Sequence, residues 1–358
     1  MKMIIAGGGT GGHFFPGLAV GEALAAAGDV EVAFVGSAHG IEARVVPRTS
    51  FPFRALDIRG ARGGGVRSLL AFARQLPPAM ARAWSILGEF RPNLVLGLGG
   101  YGSVPMVLAA WIRRIPSVLL EQNVRPGMAN RLLALFSRRV CTNFADSAAY
   151  FPRGKSVHTG NPIRRLVAAP AAARSGFTVF AFGGSQGAHT VNQAMVGAAE
   201  LLKERLPGLR IVHQTGAADV EWVRARYGEM AVEAEVVEFV DDMGAAYSRA
   251  DVVVCRSGAT TLAELTALGK ASILVPYPYA ADDHQRANAA VLVKAGAAEM
   301  ILDAELTPAR LAGSVVGLAN DRSRLEQMGK AAQTLSMPDA TRRVVEVCRL
   351  VVAEGRAS

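Results

Sequence analysis

The strongest constraint on what this chain can fold into is a glycine-rich turn that recurs three times, each time at the end of a short apolar run. The first is Ile4-Ile5-Ala6 followed by Gly7-Gly8-Gly9-Thr10-Gly11-Gly12-His13. The second is Leu94-Val95-Leu96 followed by Gly97-Leu98-Gly99-Gly100-Tyr101-Gly102-Ser103. The third is Val179-Phe180-Ala181-Phe182 followed by Gly183-Gly184-Ser185-Gln186-Gly187. A strand that runs into glycines and then into a helix offers bare backbone N–H groups and the positive end of a helix dipole to a phosphate. Such turns in both halves predict two similar nucleotide-fold domains that face one anionic ligand.

Composition narrows the partner. The 358 residues are 51% hydrophobic, enough for a sizeable core, and the length favours two domains. The formal net charge of +9 points to nucleic acid, anionic lipid or a phosphorylated substrate, with a merely soluble basic surface as the plain alternative. Aromatic residues are only 6% and no nucleic-acid-binding signature is present, so nucleic acid drops out of the expected partners. Cys141, Cys255 and Cys348 are widely spaced and odd in number, which fits neither a disulfide framework nor a zinc site and makes the cytosol the natural compartment. The apolar run at the start is too short for a signal peptide and reads as a first strand. The uncharged stretch 104–112, closed by Arg113-Arg114, is far short of a membrane span, so a soluble or peripheral protein is expected.

Hydrophobic patterning predicts strands alternating with helices. In the first half, strands are expected at 3–6, 31–35, 94–96, 117–120 and 139–142. Helices are expected at 16–27 and 41–47, with helical material over 67–90 broken at Pro77-Pro78. The second half repeats the scheme, with strands at 178–182, 210–214, 234–239, 251–255, 271–276 and 299–302 and helices such as 260–268 and 284–294. This alternation predicts parallel sheets wrapped by helices. The Ala/Pro stretch 167–175 has no periodic face and reads as a linker, with a cleft expected at the carboxyl ends of the strands.

The motifs exclude two common nucleotide sites. Gly7-x-Gly9-x-x-Gly12 fits the dinucleotide pattern, but the second strand ends Val35-Gly36-Ser37 with no carboxylate to hold a ribose. No Gly-Lys-Ser/Thr follows any of the three turns, so the Walker pattern fails too. His13 stands where a helix should begin. It is either a turn residue without chemistry or, with its proton affinity lowered by the helix dipole, a neutral imidazole fit for a general base. Arg256-Ser257-Gly258-Ala259-Thr260-Thr261-Leu262-Ala263-Glu264 follows a strand, and Ser257 or Thr260 could cap the next helix. Glu264 reads either as a dipole carboxylate or as an acceptor for a ribose diol. The polar segment 277–288 could read sugar hydroxyls or simply start a helix capped by Asp282 or Asp283. Asp241-Asp242 and Asp282-Asp283 are adjacent pairs whose side chains diverge, so no metal site is expected.

In order along the chain, Gly8-Gly9-Thr10-Gly11-Gly12-His13 with Phe15-Pro16-Gly17, Gly97-Leu98-Gly99-Gly100-Tyr101, Glu121-Gln122-Asn123, Gly160-Asn161-Pro162-Ile163-Arg164, Gly183-Gly184-Ser185-Gln186-Gly187, Phe239-Val240-Asp241-Asp242-Met243 and Cys255-Arg256-Ser257-Gly258-Ala259 resemble the MurG family. These are bacterial enzymes of glycosyltransferase family 28 that add N-acetylglucosamine to lipid I, giving lipid II. The resemblance runs to Met337-Pro338-Asp339-Ala340-Thr341 and covers nearly the whole chain.

The resemblance implies an α/β GT-B fold: two Rossmann-like parallel-sheet domains facing a deep cleft. Residues 1–166 would form the acceptor and membrane domain, completed by a helix over 337–356, and 176–336 the donor domain, with 167–175 between them. It implies an inverting transfer from UDP-N-acetylglucosamine to the C4 hydroxyl of the N-acetylmuramoyl sugar of lipid I, in peptidoglycan synthesis. In the donor domain, Val240 would face the uracil, Glu264 the ribose hydroxyls and Ser185 the diphosphate. Ala259, Thr260, Thr261, Leu262, Ala263 and Gln285 would line the sugar side. Thr10, Gly11, Gly12, Asn123 and Arg164 would complete the donor site, with His13 as the catalytic base and Glu121 beside it. No cofactor or metal is implied. Lipid I, an anionic membrane surface and other cell-wall synthesis proteins would be partners, and the cytoplasmic face of the cell membrane the location. Arg62, Arg67, Leu69, Leu70, Phe72, Arg74, Arg82, Trp84, Trp111, Arg113 and Arg114 supply an apolar and basic set for that surface.

One departure stands out. Many members of the family carry His before Glu-Gln-Asn, and here that residue is Leu120, so any role of that histidine does not carry over. The segment 277–283 also differs from the family pattern. Rival readings are another GT-B lipid glycosyltransferase, a UDP-N-acetylglucosamine 2-epimerase and a catalytically dead scaffold for cell-wall assembly.

Overall fold

Two compact units divide the chain: Met1–Arg164 with Met337–Ser358, and Arg165–Ser336. The computed structural model describes residues 1–58, 66–164, 176–184 and 186–357, with the side chains of 66–69, 356 and 357 left aside. The expected linker 167–175, the site residue Ser185, Arg62, and the side chains of Arg67 and Leu69 therefore lie outside the described residues.

The first unit is built on β1 (Lys2–Ala6), β2 (Glu31–Ser37), β3 (Phe53–Leu56), β4 (Leu94–Gly97), β5 (Ser117–Glu121), β6 (Arg139–Thr142) and β7 (Ser156–His158). They form one parallel sheet in the order β3-β2-β1-β4-β5-β6-β7. The run of apolar residues in β1, rather than an alternation, marks a strand covered on both faces. Met3 and Ile5 pack with Phe14, Leu18, Val347 and Val351. Ile4 and Ala6 pack on the other face with Ala83, Leu87 and Val107. Each such fully buried side chain contributes about 1.5–3 kcal/mol. The C-terminal helix Ala340–Ala357 thus belongs to the first unit, where it shares a face of the sheet with the helix Gly11–Ala27.

The second unit repeats the plan with β8 (Phe177–Phe182), β9 (Leu209–Gln214), β10 (Ala234–Val237), β11 (Val252–Cys255), β12 (Ser272–Leu274) and β13 (Ala298–Met300). Its parallel order is β10-β9-β8-β11-β12-β13.

In each sheet the strand order reverses once, between β1 and β4 and between β8 and β11. The crevice outside the carboxyl ends of the strands at such a reversal is where open parallel sheets bind ligands. Ala6 pairs with both Val35 and Gly97, which holds those ends level. The strands at the two reversals lead into the first, second and third glycine turns and into Arg256-Ser257-Gly258.

Several local expectations change. The helix expected over 16–27 begins at Gly11, with Pro16 inside it. Helix Val66–Phe90 runs unbroken through Pro77-Pro78. Both prolines are exposed, as are Ala73 and Arg74, so water can meet the two carbonyls that lose their partners. Two short strands, β3 and β7, complete the sheet without having been anticipated. At four and three residues they carry almost no periodic signal.

Candidate active site

The first turn sets the geometry around His13. Gly7, Gly8 and Gly9 have φ of +116°, +133° and +87°, a region that glycine alone enters cheaply. Two of the N–H groups that the sequence offered to a phosphate are already engaged. Gly7 N donates to Val35 O at 2.9 Å. Gly9 N donates to Glu42 Oε2 at 2.8 Å. The anion cradle expected here is thus partly closed from within.

Thr10 is the extended residue before the helix Gly11–Ala27, yet its side chain does not cap that helix. Its Oγ1 lies 2.9 Å from Nδ1 of His13, which is half-buried in the helix's first turn. When Nδ1 carries the proton and donates to Thr10 Oγ1, Nε2 keeps a lone pair and can take a proton from a substrate. The ring also rests on the second glycine turn. A Cβ at Gly99 would stand 3.3 Å from His13 Cδ2 and 2.9 Å from Asn130 Nδ2, at a φ of +88°. Gly99→Ala is therefore expected to lower turnover more than about tenfold by displacing the ring, since angstrom-scale misplacement costs rates of this order or more. Steady-state rates of the variant, with its melting temperature as a folding control, check this.

Glu121 ends β5 and is 1% exposed. Its Oε1 accepts from Asn123 N at 2.9 Å and Asn123 Nδ2 at 3.3 Å, and its Oε2 from Asn130 Nδ2 at 2.8 Å. Burial pushes its carboxyl above the ordinary range, against the lowering effect of these bonds. With both oxygens engaged and little solvent access, Glu121 is placed to hold Asn123 and Asn130, the latter being the residue that meets Gly99. Arg164 is exposed, and its guanidinium lies 5.0 Å from the ring of Phe15 in the helix that carries His13.

In the second unit the third turn is fixed by a buried polar network. A Cβ on Gly187 would collide with the carbonyl of Thr215. Thr215 O accepts from Asn192 Nδ2 at 2.9 Å, and the same amide reaches Asp219 Oδ2 at 2.7 Å. His213, fully buried, sits 2.9 Å from Tyr227 OH and 3.1 Å from Asn192 Oδ1. Burial lowers its pKa to about 3, so the imidazole is neutral. Gln214 Nε2 donates to Gly184 O at 3.0 Å and to Glu238 O at 3.2 Å, tying the turn to the segment that leads to half-buried Val240.

Helix Ala259–Leu268 starts just beyond β11. Its cap is Gly258, without a side-chain bond. Ser257, expected as a possible cap, instead donates to Gln285 O at 2.9 Å. Asp283, expected to cap helix His284–Lys294, stands before it with φ of +52° and makes no side-chain capping bond. Glu264 lies one turn into the first of these helices. Its Oε2 accepts from Tyr247 OH at 2.9 Å. Burial raises the Glu264 carboxyl to about 7, and the Tyr247 bond only partly offsets this. Ala259 and Leu262 are buried, whereas Thr260, Thr261 and Ala263 are half-buried. The Leu262 side chain therefore packs into the core. Gln285 Oε1 accepts from Tyr277 N at 3.0 Å. Arg256 is held below by Asp303 at 2.5 Å and Thr190 at 2.8 Å.

Sequence reasoning missed Glu42, Asn130, Tyr247 and the Asn192–Asp219–His213 network. The one signal for Glu42 was the pair of glycines, Gly36 and Gly40, that flank it. The others sit in ordinary helices and strands or, for Asp219, just before a helix, and give no signal in a single sequence. Among the described residues, no group of three or more His, Cys, Asp or Glu could hold a metal ion, and no helix is long and apolar enough to cross a membrane.

Two Rossmann-like parallel sheets, each with a glycine turn at its reversal point, define a GT-B protein. Residues 3–142 match the glycosyltransferase family 28 N-terminal domain and residues 178–344 the glycosyltransferase family 28 C-terminal domain. The chain belongs to glycosyltransferase family 28, within its MurG branch. It is 46% identical over 353 residues to the UDP-N-acetylglucosamine--N-acetylmuramyl-(pentapeptide) pyrophosphoryl-undecaprenol N-acetylglucosamine transferase of Myxococcus xanthus (strain DK1622), covering 97% of this chain and 92% of that one. The crystal structure of Acinetobacter baumannii MurG superposes with a TM-score of 0.78 at 32% identity, over 97% of this chain and 99% of that one. The UDP-GlcNAc 2-epimerase from Neisseria meningitidis, bound to UDP-GlcNAc, gives a TM-score of 0.68 at 15% identity, over 97% of this chain and 99% of that one, a likeness of fold alone.

Proposed function

We propose that this protein is an inverting N-acetylglucosaminyltransferase that moves N-acetylglucosamine from UDP-N-acetylglucosamine to the C4 hydroxyl of the muramoyl sugar of lipid I, giving lipid II. The observation that carries this reading is His13. It stands at the reversal point of the first sheet with Nδ1 engaged by Thr10, in a chain nearly half identical, end to end, to a transferase of that name.

In this reading the second unit holds the donor. Glu264 accepts the ribose diol, backbone groups at Val240 meet the uracil, and the third turn, Ser185 included, meets the diphosphate. Thr260, Thr261, Ala263 and Gln285 face the sugar. His13 Nε2 takes the C4 hydroxyl proton as that oxygen forms its bond to the anomeric carbon. The bond from that carbon to the diphosphate breaks, its electron pair leaves with UDP, and the configuration inverts. Charge growing on the diphosphate is met by helix N-termini and Arg164. NMR of the product tests the stereochemistry. A β-linked N-acetylglucosamine from the α-linked donor is expected, and a retained α-linkage would overturn the reading.

Lipid I is anchored in a bilayer, and we assign the approach to the first unit. Leu70, Trp84 and Trp111 are 56%, 44% and 53% exposed. The guanidinium of Arg113 lies 4.3 Å from the ring of Trp84, and Arg74 and Arg82 are exposed. Apolar side chains among cations suit the anionic cytoplasmic leaflet. Charge reversal at Arg67, Arg74 and Arg82 is expected to weaken binding to anionic vesicles by roughly 100-fold or more, at about 1 kcal/mol for each basic residue near such a surface. Co-sedimentation that stays unchanged would remove this surface from the account.

A further inference from the structure

The first glycine turn is three consecutive glycines with positive φ, and a segment of that kind has the largest conformational freedom a chain can have. Something must hold it if the residue after it is to aim a catalytic side chain. The structure places one carboxyl group there. Glu42 opens the short helix Glu42–Val45 and is 1% exposed. Its Oε2 accepts from Gly9 N and its Oε1 from Ser37 N, each at 2.8 Å. One side chain thus joins the β1 turn to the end of β2. Three glycines from separate places make the room. A Cβ at Gly8 would lie 2.7 Å from Glu42 Oε2, one at Gly36 would lie 2.5 Å from Glu42 Cγ, and one at Gly40 would collide with the carboxyl. A Cβ at Gly9 would meet nothing within 4 Å, so nothing packs on that side of it, and its N–H bond to Glu42 is the restraint the structure shows.

We infer that Glu42 is a positioning residue for the transfer: by holding Gly9 it sets Thr10 and, through the Thr10 contact, the direction of the His13 ring. This rests on the reading of His13 as the base. A carboxyl group suits the task because two oxygens can accept from two converging N–H groups. An amide of the same length presents an NH2 to one of them, and Asp cannot span the gap.

The test is steady-state kinetics of the full chain with UDP-N-acetylglucosamine and a short-chain lipid I analogue, for E42Q, E42D, H13A and the E42Q/H13A double variant. E42Q and E42D are expected to lower kcat by about 10- to 100-fold, the scale of angstrom misplacement. The donor KM should change far less than kcat, because the second unit holds most of the donor and the first unit only completes its site through residues such as Thr10 and Arg164. Melting temperatures should stay within about 3 °C of the parent, which separates positioning from unfolding. Against H13A, E42Q should cost little more, since its effect passes through the ring it no longer aims. If H13A itself retains turnover within a few-fold, the base assignment fails. If H13A collapses turnover while E42Q is silent, or costs the same factor with and without His13, the base stands and the role given to Glu42 is wrong.

Discussion

His13→Ala lowers kcat by roughly 10²–10⁴-fold with little change in the donor KM, the range expected for loss of a general base. The direction follows from position. The ring sits at the reversal of the first sheet, rests against Gly99 and has Nδ1 within hydrogen-bond reach of Thr10. The nearest other candidate, Glu121, is buried with both oxygens engaged by Asn123 and Asn130. Glu121→Gln is therefore expected to lower turnover through misplaced asparagines rather than through a lost base. An H13A enzyme of normal melting temperature that turns over within a few-fold of the parent would remove the assignment.

Glu264→Ala raises the donor KM by on the order of 10²-fold, from the loss of two hydrogen bonds to a charged group at about 1.5–3 kcal/mol each, part of which water restores. The same side chain gives the donor a pH signature. Burial lifts the folded pKa from 4.5 to about 7, so the folded protein holds an extra proton between those values. The stability this group contributes accordingly falls as pH rises through that window and is level above it. Donor affinity runs the other way. The ionised carboxylate accepts both diol protons, so affinity rises with pH through about 7 and then flattens. Tyr247→Phe removes the bond that lowers this pKa, so the midpoint should move up. Calorimetric titration with UDP-N-acetylglucosamine over about one and a half units either side of the midpoint near 7 checks both; a flat profile would show that Glu264 is not the diol acceptor.

The sheets were largely legible because their strands are buried on both faces and read as unbroken apolar runs, as in Met3-Ile4-Ile5-Ala6 and Val252-Val253-Val254-Cys255. The glycine turns marked the reversal points for the same reason that ligands gather there: strands end and backbone comes close. Bonds that cross sequence distance were not legible. Glu42 reaches back 33 residues to Gly9, and Tyr247 reaches 17 residues to Glu264. A single sequence contains both partners but nothing that pairs them. Pro77-Pro78 misled because local propensity counts the missing N–H donors without knowing that the carbonyls left unpaired face water. The place of His13 at a helix start, after a strand and three glycines, was legible as a purely local pattern, which by itself left its role open.

Transfer to a lipid-linked acceptor is decided by UDP release from UDP-N-acetylglucosamine with and without a short-chain lipid I analogue. Release that requires the analogue, in equal amount to the disaccharide formed, is the predicted result. Release that proceeds without it would favour epimerase-type chemistry, and no release from an enzyme that still binds the donor would contradict the transferase reading itself.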